Sequence, residues 1–404
     1  MDEKKEQQSA HFWLIVAIVL LFCAVLKLPT LTTPHDEPDE QVYWQLATKL
    51  SSGGAYNLQG TEILTKLSPA IYDHPLFRHP PFYPALLVPF VWLNARNLAV
   101  MVSWLGHFLC IIAVAVMGRR LAREQGTPEE QSLLFWLPVL GVALDPFLTF
   151  LSSKLWIDGL LAGLCSLAIA CFYCARFSTK RPLYLLTGGI LFGLACLTKL
   201  PALALAPIIV LLILKPKAGS GLWLRDLSLG CLPALVLIVP WFVIFHRAYG
   251  AFMPDVATFD AWTLEHYPFV VAAVNRNPTY YIAKIIALTP ASIFCLVTYL
   301  LRRELWKKLD SVFPCLWFLL FFAALSWVGM RGQGFQMRFL APLFSCIYLM
   351  LYAVIGEWRN RSEVLSVALL LCLVYAGLNG VIYLLLPQYD EIRPVFTIWG
   401  TANL

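Results

Sequence analysis

The sequence predicts an all-α polytopic membrane protein, and composition, segment length and continuity of the apolar runs each lead to that fold class. Hydrophobic residues make up 59% of the 404 residues and charged residues 13%, with a mean hydropathy of +0.71. A soluble domain carries roughly 25% charged residues. Apolar stretches of about 17 to 25 residues, the length that crosses a bilayer, recur between short loops. Because these runs are continuous rather than alternating, their backbone hydrogen bonds must be satisfied within helices.

About eleven segments have the length and hydropathy of transmembrane helices. They cover 11–28, 98–117, 131–151, 157–174, 183–197, 201–214, 228–246, 281–301, 311–328, 339–356 and 363–386. The apolar piece 82–93 is too short to cross, so we expect it to lie in one face of the membrane, beside a juxtamembrane helix that follows the first span. The whole chain, 1–404, is then a single transmembrane domain without a separate soluble domain.

The distribution of basic residues predicts the orientation of the helices. Each loop placed inside is basic, as membrane topology favours. These residues are Arg119, Arg120, Arg123, Arg176, Lys180, Arg181, Lys215, Lys217, Arg225, Arg302, Arg303, Lys307, Lys308, Arg359 and Arg361. The amino terminus is therefore expected inside and the carboxyl terminus outside, with a first outer loop at 29–97 and a second at 247–280. The inside loops are short and contain no phosphate-binding glycine motif, and no nucleic-acid-binding motif occurs, so chemistry is expected on the outer face.

An acidic segment, 35–40, follows the first span and holds four carboxylates within five residues. Pro38 suits the first position of a helix, which places Asp39 and Glu40 in its first turn, where the helix dipole favours anions. Apolar residues at helical spacing over 42–50 predict a helix that lies along the membrane surface and presents Asp39 or Glu40 to the bundle. Acidic capping of a helix start explains the same pattern without any chemistry.

Five motifs in order resemble those of GT-C glycosyltransferases of the aminoarabinose-transferase and protein O-mannosyltransferase type. They are Asp39-Glu40 with Tyr43 and Leu50 to Tyr56, His79-Pro80-Pro81-Phe82-Tyr83-Pro84, Ser153 to Asp158, Gly193 to Lys199, and Gln336 to Pro342. All five fall on the predicted outer face. The acidic pair is doubled in this chain, and the spacing to Tyr43 favours Asp39-Glu40 over Asp36-Glu37 as the matching pair.

The resemblance implies an inverting glycosyltransferase that moves a sugar from a polyprenyl-phosphate donor to a hydroxyl group. In such a reaction one carboxylate deprotonates the acceptor, and cations stabilise the departing phosphate. We expect Asp39 to be the base, with Glu40 as second choice, and Lys199 and Arg338 to bind the phosphate. Snorkelling to the interface, or pairing with a structural acid such as Asp158, is the alternative for both cations.

Further residues are assigned supporting roles. Asp158 is expected to orient Lys154 or Lys199, and Tyr43 belongs to the matching motif. Asp36 and Glu37, with Glu40, His74 and His79, are hard ligands that suit a divalent cation such as Mg²⁺ or Mn²⁺. Two roles remain open for the acidic and aromatic residues of the second outer loop, which are contact with the acceptor and capping of a helix. These residues are Glu265, His266 and Tyr267.

The expected partners are the lipid-linked sugar donor, membrane lipids and an acceptor that is a lipid, a glycan or a protein, with no nucleic acid. The expected location is a bacterial inner membrane, with the active site facing the periplasm. Two alternatives remain open at the level of sequence. One is a transporter of a lipid or small solute, and the other is a noncatalytic scaffold subunit that keeps the same fold.

Overall fold

The computed structural model describes residues 2–124, 132–214, 220–252, 265, 279–330, 337–358 and 363–385, and these contain helices and no strands. The α-helices are α1 (Asp2–Lys27), α2 (Pro38–Ser51), α3 (Pro69–Tyr72), α4 (Phe82–Trp92), α5 (Met101–Glu124), α6 (Leu133–Ala143), α7 (Pro146–Ser152), α8 (Ile157–Ala175), α9 (Arg181–Thr198), α10 (Ala206–Ile213), α11 (Ser220–Tyr249), α12 (Thr279–Leu288), α13 (Ala291–Leu301), α14 (Leu309–Val328), α15 (Ala341–Trp358) and α16 (Glu363–Leu385).

The all-helical fold class predicted from the sequence is confirmed for the described residues. Eight of their helices are long and apolar enough to cross a membrane, or ten if each of two bent pairs counts as one span. The predicted span 131–151 bends by 42° between α6 and α7, and 281–301 bends by 115° between α12 and α13. A proline begins α7 and another precedes α13, and proline removes a helical donor and interrupts the ladder. The predicted span 201–214 is a 3-10 turn followed by the short helix α10.

Helix α8 and the span that includes α15 form the centre of the bundle. In each, 89% of the most apolar window is buried, compared with 28% for α1, 22% for α11 and 28% for α16. Helix α8 packs on α5 and α9, α9 packs on α11, and α15 packs on α5, α8, α13 and α14. The outer helices present leucine, isoleucine and valine outward, which matches a lipid environment.

Helices α5 and α8 touch backbone to backbone at three glycines. A Cβ atom on Gly163 would lie 2.2 Å from the carbonyl oxygen of Gly106, and one on Gly106 would lie 2.1 Å from the carbonyl oxygen of Gly159. Small residues four positions apart allow this approach, which replaces the hydrophobic effect as a source of helix association inside a bilayer. The contact fixes the amino-terminal turn of α8, where Asp158 lies.

The two ends of the bundle differ in the residues and helices that they contain. At one end, basic residues of the loops predicted inside pair with acids of neighbouring helices: Arg181 with Asp226 at 2.7 Å, and Arg176 with Asp310 at 3.0 Å. At the other end, α2 packs on α4, α4 contacts α9, and Glu40 of α2 binds the turn between α7 and α8. Four of the five motifs lie wholly at this second end, and so does the described part of the fifth.

We predict that Gly163→Ala destabilises the protein, because the new Cβ atom meets the backbone of Gly106 and forces α5 and α8 apart. Overpacking of this kind costs roughly 1–3 kcal/mol. The thermal midpoint of the purified protein in detergent measures the effect. Gly377→Ala is the matched control, since its Cβ atom would meet the Leu144 side chain at 3.5 and 3.6 Å, which is ordinary van der Waals contact. Equal midpoints for the two variants would refute the close contact.

Candidate active site

The amino-terminal turn of α2 separates the two carboxylates of the Asp39-Glu40 motif. Pro38 begins the helix, and Glu37 and Glu40 form a capping box in which each side chain bonds to the other residue's backbone amide. Such a box satisfies amides that have no partner inside the helix. It turns Glu40 into the protein, where the side chain is 1% exposed, whereas the side chain of Asp39 is 32% exposed.

Asp39 forms an ion pair with Arg338, which lies on the 3-10 turn Met337–Leu340. The guanidinium also lies over the Trp156 ring, 5.5 Å from its centroid. Burial alone would raise the pKa of the Asp39 carboxyl, but the charge and hydrogen bond of Arg338, with Lys199 and Arg78, lower it below its ordinary value. Asp39 is therefore ionised at neutral pH and faces a group of cations.

Lys199 provides the second cation, as the sequence predicts, and its partner is Asp158 rather than solvent. The ammonium nitrogen lies 2.6 Å from Asp158 Oδ1, and the side chains are 5% and 0% exposed. Lys199 ends α9 in an extended conformation, which directs its side chain back towards α8. Its nitrogen lies 4.5 Å from the centroid of the Phe339 ring, and the Arg338 guanidinium carbon lies 6.0 Å from the same centroid. One aromatic ring thus contacts both cations.

The buried pair leaves one polar atom without a partner. Asp158 Oδ2 is buried and accepts no hydrogen bond from any described residue. An unsatisfied buried carboxylate oxygen is costly. The same region holds Tyr43, whose pKa is raised well above its ordinary value by burial and by the charges of Asp39 and Asp158. Tyr43 therefore remains a neutral phenol that can donate a hydrogen bond.

Arg78 is a third cation that the sequence analysis did not identify. It lies over the Tyr72 ring at 5.1 Å and donates a 3.3 Å hydrogen bond to the Tyr72 hydroxyl. No described carboxylate lies within ion-pair distance of it, and its Nε is buried without a partner. Its position directly before His79 in the His-Pro-Pro motif was the available signal. Burial, Arg78, Lys199 and Arg338 lower the pKa of His79 well below its ordinary value, so His79 is neutral.

Glu40, the second choice for the base, is instead occupied by three donors. Its Oε1 accepts from the Leu155 amide at 2.8 Å and lies 2.8 Å from His35 Nδ1, while Oε2 accepts from the Glu37 amide at 3.2 Å. Burial would raise its pKa, but the hydrogen bond and charge of His35, with the Leu155 amide and Lys154, lower it. A carboxylate bonded in this way organises backbone and has little capacity to take a proton from a substrate.

The proposed metal ligands do not converge. Asp36 pairs with Arg96 at 3.2 Å, and Glu37 pairs with Lys154 at 2.6 Å. His74 Nε2 lies 2.9 Å from the Ala70 carbonyl oxygen. Among the described residues no group of three His, Cys, Asp or Glu side chains is arranged to hold a metal ion. The divalent-cation prediction therefore does not fit these side chains, and Lys154 supports Glu37 rather than Asp158.

The predicted second outer loop, 247–280, lies mostly outside the part of the chain that the structure describes. Glu265 is exposed, and the predicted acceptor contacts at His266 and Tyr267 lie outside the described residues. The described site thus consists of carboxylates Asp39 and Asp158, the three cations, and two neutral side chains. Together these seven residues form the charged cluster: Asp39, Asp158, Lys199, Arg338, Arg78, Tyr43 and His79.

Comparison with known proteins places the fold. No protein-family model matches the sequence, and no curated protein matches it. ArnT from Cupriavidus metallidurans in the apo state aligns with a TM-score of 0.59 and 17% identity, over 90% of this chain and 62% of that chain. ArnT bound to undecaprenyl phosphate aligns with a TM-score of 0.56 and 16% identity, over 98% of this chain and 74% of that chain.

A third structure, the archaeal oligosaccharyltransferase AglB from Archaeoglobus fulgidus, gives a TM-score of 0.49 at 13% identity, over 93% of this chain and 55% of that chain. The chain thus spans about 62% of the length of the apo ArnT chain. The alignment with ArnT shows that this chain has a fold similar to that of ArnT, a protein of the type that the five motifs resemble.

We predict that Glu40→Gln destabilises the protein although it keeps the size of the side chain. Glu40 accepts hydrogen bonds from the amides of Leu155 and Glu37, and also from His35 when Nδ1 carries the proton. In glutamine one of the two carboxylate oxygens becomes an NH₂ group, so at least one of these N–H donors would face another donor. Leaving a buried donor unsatisfied costs roughly 1–3 kcal/mol. Thermal unfolding in detergent measures this. Glu62→Gln, the same change at an exposed residue of the first outer loop, is the control, and equal stability of the two variants would contradict the assignment.

Proposed function

We propose that the charged cluster is the active site of an inverting glycosyltransferase that takes its sugar from a polyprenyl-phosphate donor. The observation that carries this proposal is the convergence of Arg338, Lys199 and Arg78 around Asp39, the one partly exposed carboxylate of the cluster. Cations gathered beside a single accessible base suit a reaction in which a phosphate leaves as a proton is taken up. The fold shared with ArnT, one structure of which is bound to undecaprenyl phosphate, supports it.

Asp39 acts as the base in this reaction. Its carboxylate accepts the proton of the acceptor hydroxyl while that oxygen bonds to the anomeric carbon of the sugar. The bond between this carbon and the phosphate oxygen breaks on the opposite face, so configuration inverts. The polyprenyl phosphate leaves as a stable anion, and no acid is needed to protonate it.

The cations stabilise the charge that grows on the leaving phosphate. Lys199 and Arg338 lie against one ring, Phe339, which fixes their relative positions. Electrostatic stabilisation by such preorganised groups is commonly worth several kcal/mol when water is excluded. Arg78, which pairs with no described carboxylate, adds a positive charge that a phosphate can neutralise. Neutral Tyr43 and His79 can bind sugar or phosphate oxygens without adding repulsion.

The acceptor is a lipid, a glycan or a protein, reached from the outer face of a bacterial inner membrane. This orientation is inferred from the charges of the loops. The ion pairs of Arg176 and Arg181 lie at the end of the bundle opposite the charged cluster. Basic loops favour the cytoplasmic side of a membrane, which supports a cluster that faces the periplasm.

One buried acid offers the best argument for a transporter, and its geometry weakens that argument. Asp145 lies at the bend between α6 and α7 and reaches Thr289 at the bend between α12 and α13. Broken helices that meet at a carboxylate are typical of transporters. However, Oδ1 accepts from the amides of Phe147 and Leu148 at 3.0 and 2.8 Å, and Oδ2 accepts from the hydroxyls of Thr289 and Tyr348 at 3.0 and 2.7 Å. Asp145 is fully buried and has no free position for a solute.

We predict that Asp39→Asn abolishes sugar transfer without loss of folded protein, because the change removes the base at a partly exposed position. Mass spectrometry of glycolipids, surface glycans and glycoproteins, together with the polyprenyl-phosphate-sugar pool, compares the variant with wild type and a deletion strain. The variant should lack one sugar on one acceptor and accumulate its lipid donor, as the deletion does.

Asp36→Asn is the control for this experiment, since Asp36 pairs with Arg96 away from the cluster. Wild-type glycosylation in the Asp39→Asn strain, combined with a defect in the deletion strain, would reject Asp39 as the base and favour the transporter or the scaffold subunit.

The pH dependence of transfer gives a separate prediction for Arg338→Gln. Asp39 works only when ionised, and burial raises its pKa while Arg338, Lys199 and Arg78 lower it. Loss of the guanidinium should therefore raise the pKa of Asp39 and move the acid limb of the kcat/KM profile, which reports the free enzyme, to higher pH. Rates measured with purified enzyme between pH 4 and pH 8 (roughly the range in which a raised carboxyl titrates) test this. An unchanged acid limb would show that ionisation of Asp39 does not control the rate at low pH, and would contradict the prediction.

A further inference from the structure

Two of the three cations that would bind the donor phosphate are already neutralised by the protein's own carboxylates. Arg338 is paired with Asp39 and Lys199 with Asp158. Aromatic contacts hold both cations in place independently of these acids, since Arg338 lies over Trp156 and both cations contact Phe339. A phosphate that binds Arg338 or Lys199 must therefore displace a carboxylate, whereas Arg78 pairs with no described carboxylate.

The two ion pairs differ in how accessible they are to an incoming anion. The side chains of Lys199 and Asp158 are 5% and 0% exposed, whereas those of Arg338 and Asp39 are 29% and 32% exposed. A partly exposed ion pair such as that of Arg338 and Asp39 costs little free energy to separate, because water and salt screen its charges. A fully buried pair costs several kcal/mol to break. The exchange should therefore take place at Arg338, while the buried pair of Lys199 stays intact.

On the basis of the proposed function, we propose that Asp39 is also an internal competitor for the donor phosphate, and that donor binding releases it to act as the base. A phosphate oxygen takes the place of the carboxylate at the Arg338 guanidinium, and no proton moves in this exchange. The freed carboxylate then faces the acceptor hydroxyl. Acceptor deprotonation is thus coupled to the presence of the donor.

The same competition promotes product release. After transfer, Asp39 carries the proton of the acceptor and is neutral, so it no longer attracts Arg338. When that proton passes to solvent, the carboxylate regains its charge and competes with the polyprenyl phosphate for the guanidinium. Because coupling between two ligands is reciprocal, whatever strengthens the Asp39 to Arg338 pair must weaken lipid phosphate binding to the same extent.

The test is the affinity of the purified protein for undecaprenyl phosphate in detergent micelles. Removing the competing charge by Asp39→Asn should tighten binding on the order of tenfold, from lost competition and lost repulsion between like charges. Asp36→Asn removes the same charge three positions away, where the partner is Arg96, and should leave the affinity at the wild-type value. Lys199→Gln and Arg338→Gln should each weaken binding.

The outcomes separate this proposal from the proposed function. Wild-type protein that binds the lipid and transfers sugar, together with Asp39→Asn that binds no more tightly than wild type, would overturn the competition alone. If neither protein binds undecaprenyl phosphate or transfers a sugar, the glycosyltransferase proposal fails and the competition fails with it. Tighter binding to both Asp39→Asn and Asp36→Asn would indicate a general charge effect and would also overturn the proposal.

A second readout does not depend on a variant. A water-soluble carbodiimide modifies free carboxylates, and peptide mass spectrometry reports the site. Undecaprenyl phosphate should increase modification of Asp39 by about threefold or more, consistent with the loss of a partly exposed ion pair, while Asp36 in the same peptide serves as the internal reference. Protection of Asp39 by the lipid, or no change, would contradict its release.

Discussion

The ion pairs of the charged cluster are the constraint on which the rest of the site depends. Asp158 and Lys199 are fully buried beside apolar helices, and a single charge in that position would be far more costly than the pair. Helix α8 must therefore place its amino-terminal turn within reach of the residue that ends α9, and the glycine contact with α5 fixes that turn. Phe339 then connects the buried pair to Arg338, and Arg338 connects it to Asp39. The packing of α5, α8 and α9 therefore determines whether the charges of the cluster are paired.

This arrangement divides four neighbouring carboxylates of the first outer loop into different tasks. Glu37 and Glu40 form the capping box and hold the turn between α7 and α8 through Lys154 and the Leu155 amide. Asp36 binds Arg96 at the surface. Of these four carboxylates, only Asp39 pairs with a cation of the charged cluster. Asp39, the proposed base, is therefore positioned by two neighbouring carboxylates. Glu37 and Glu40 order the backbone of the helix turn that holds it.

The sequence predicted the all-helical fold class and the start of α2 at Pro38, and it offered Asp158 as a partner for Lys199 or Lys154, because each depends on local pattern or on the cost of an unpaired charge. It ranked Asp39 before Glu40 but did not show that Glu40 turns inward, since which of two adjacent side chains does so depends on the capping box and on the distant Leu155 amide. Arg78 was missed because its sequence signal, the position directly before His79, does not show that the fold brings it close enough to act on Asp39. The bends at Asp145 and Thr289 were likewise hidden in continuous hydropathy, although Pro146 and Pro290 were visible.

The most direct test of the account is a high-resolution structure of the protein with undecaprenyl phosphate bound. Our account predicts phosphate density between Arg338 and Lys199, with Asp39 separated from the guanidinium and Asp158 still paired with Lys199. Phosphate bound elsewhere, or bound while Asp39 and Arg338 remain in contact, would contradict it.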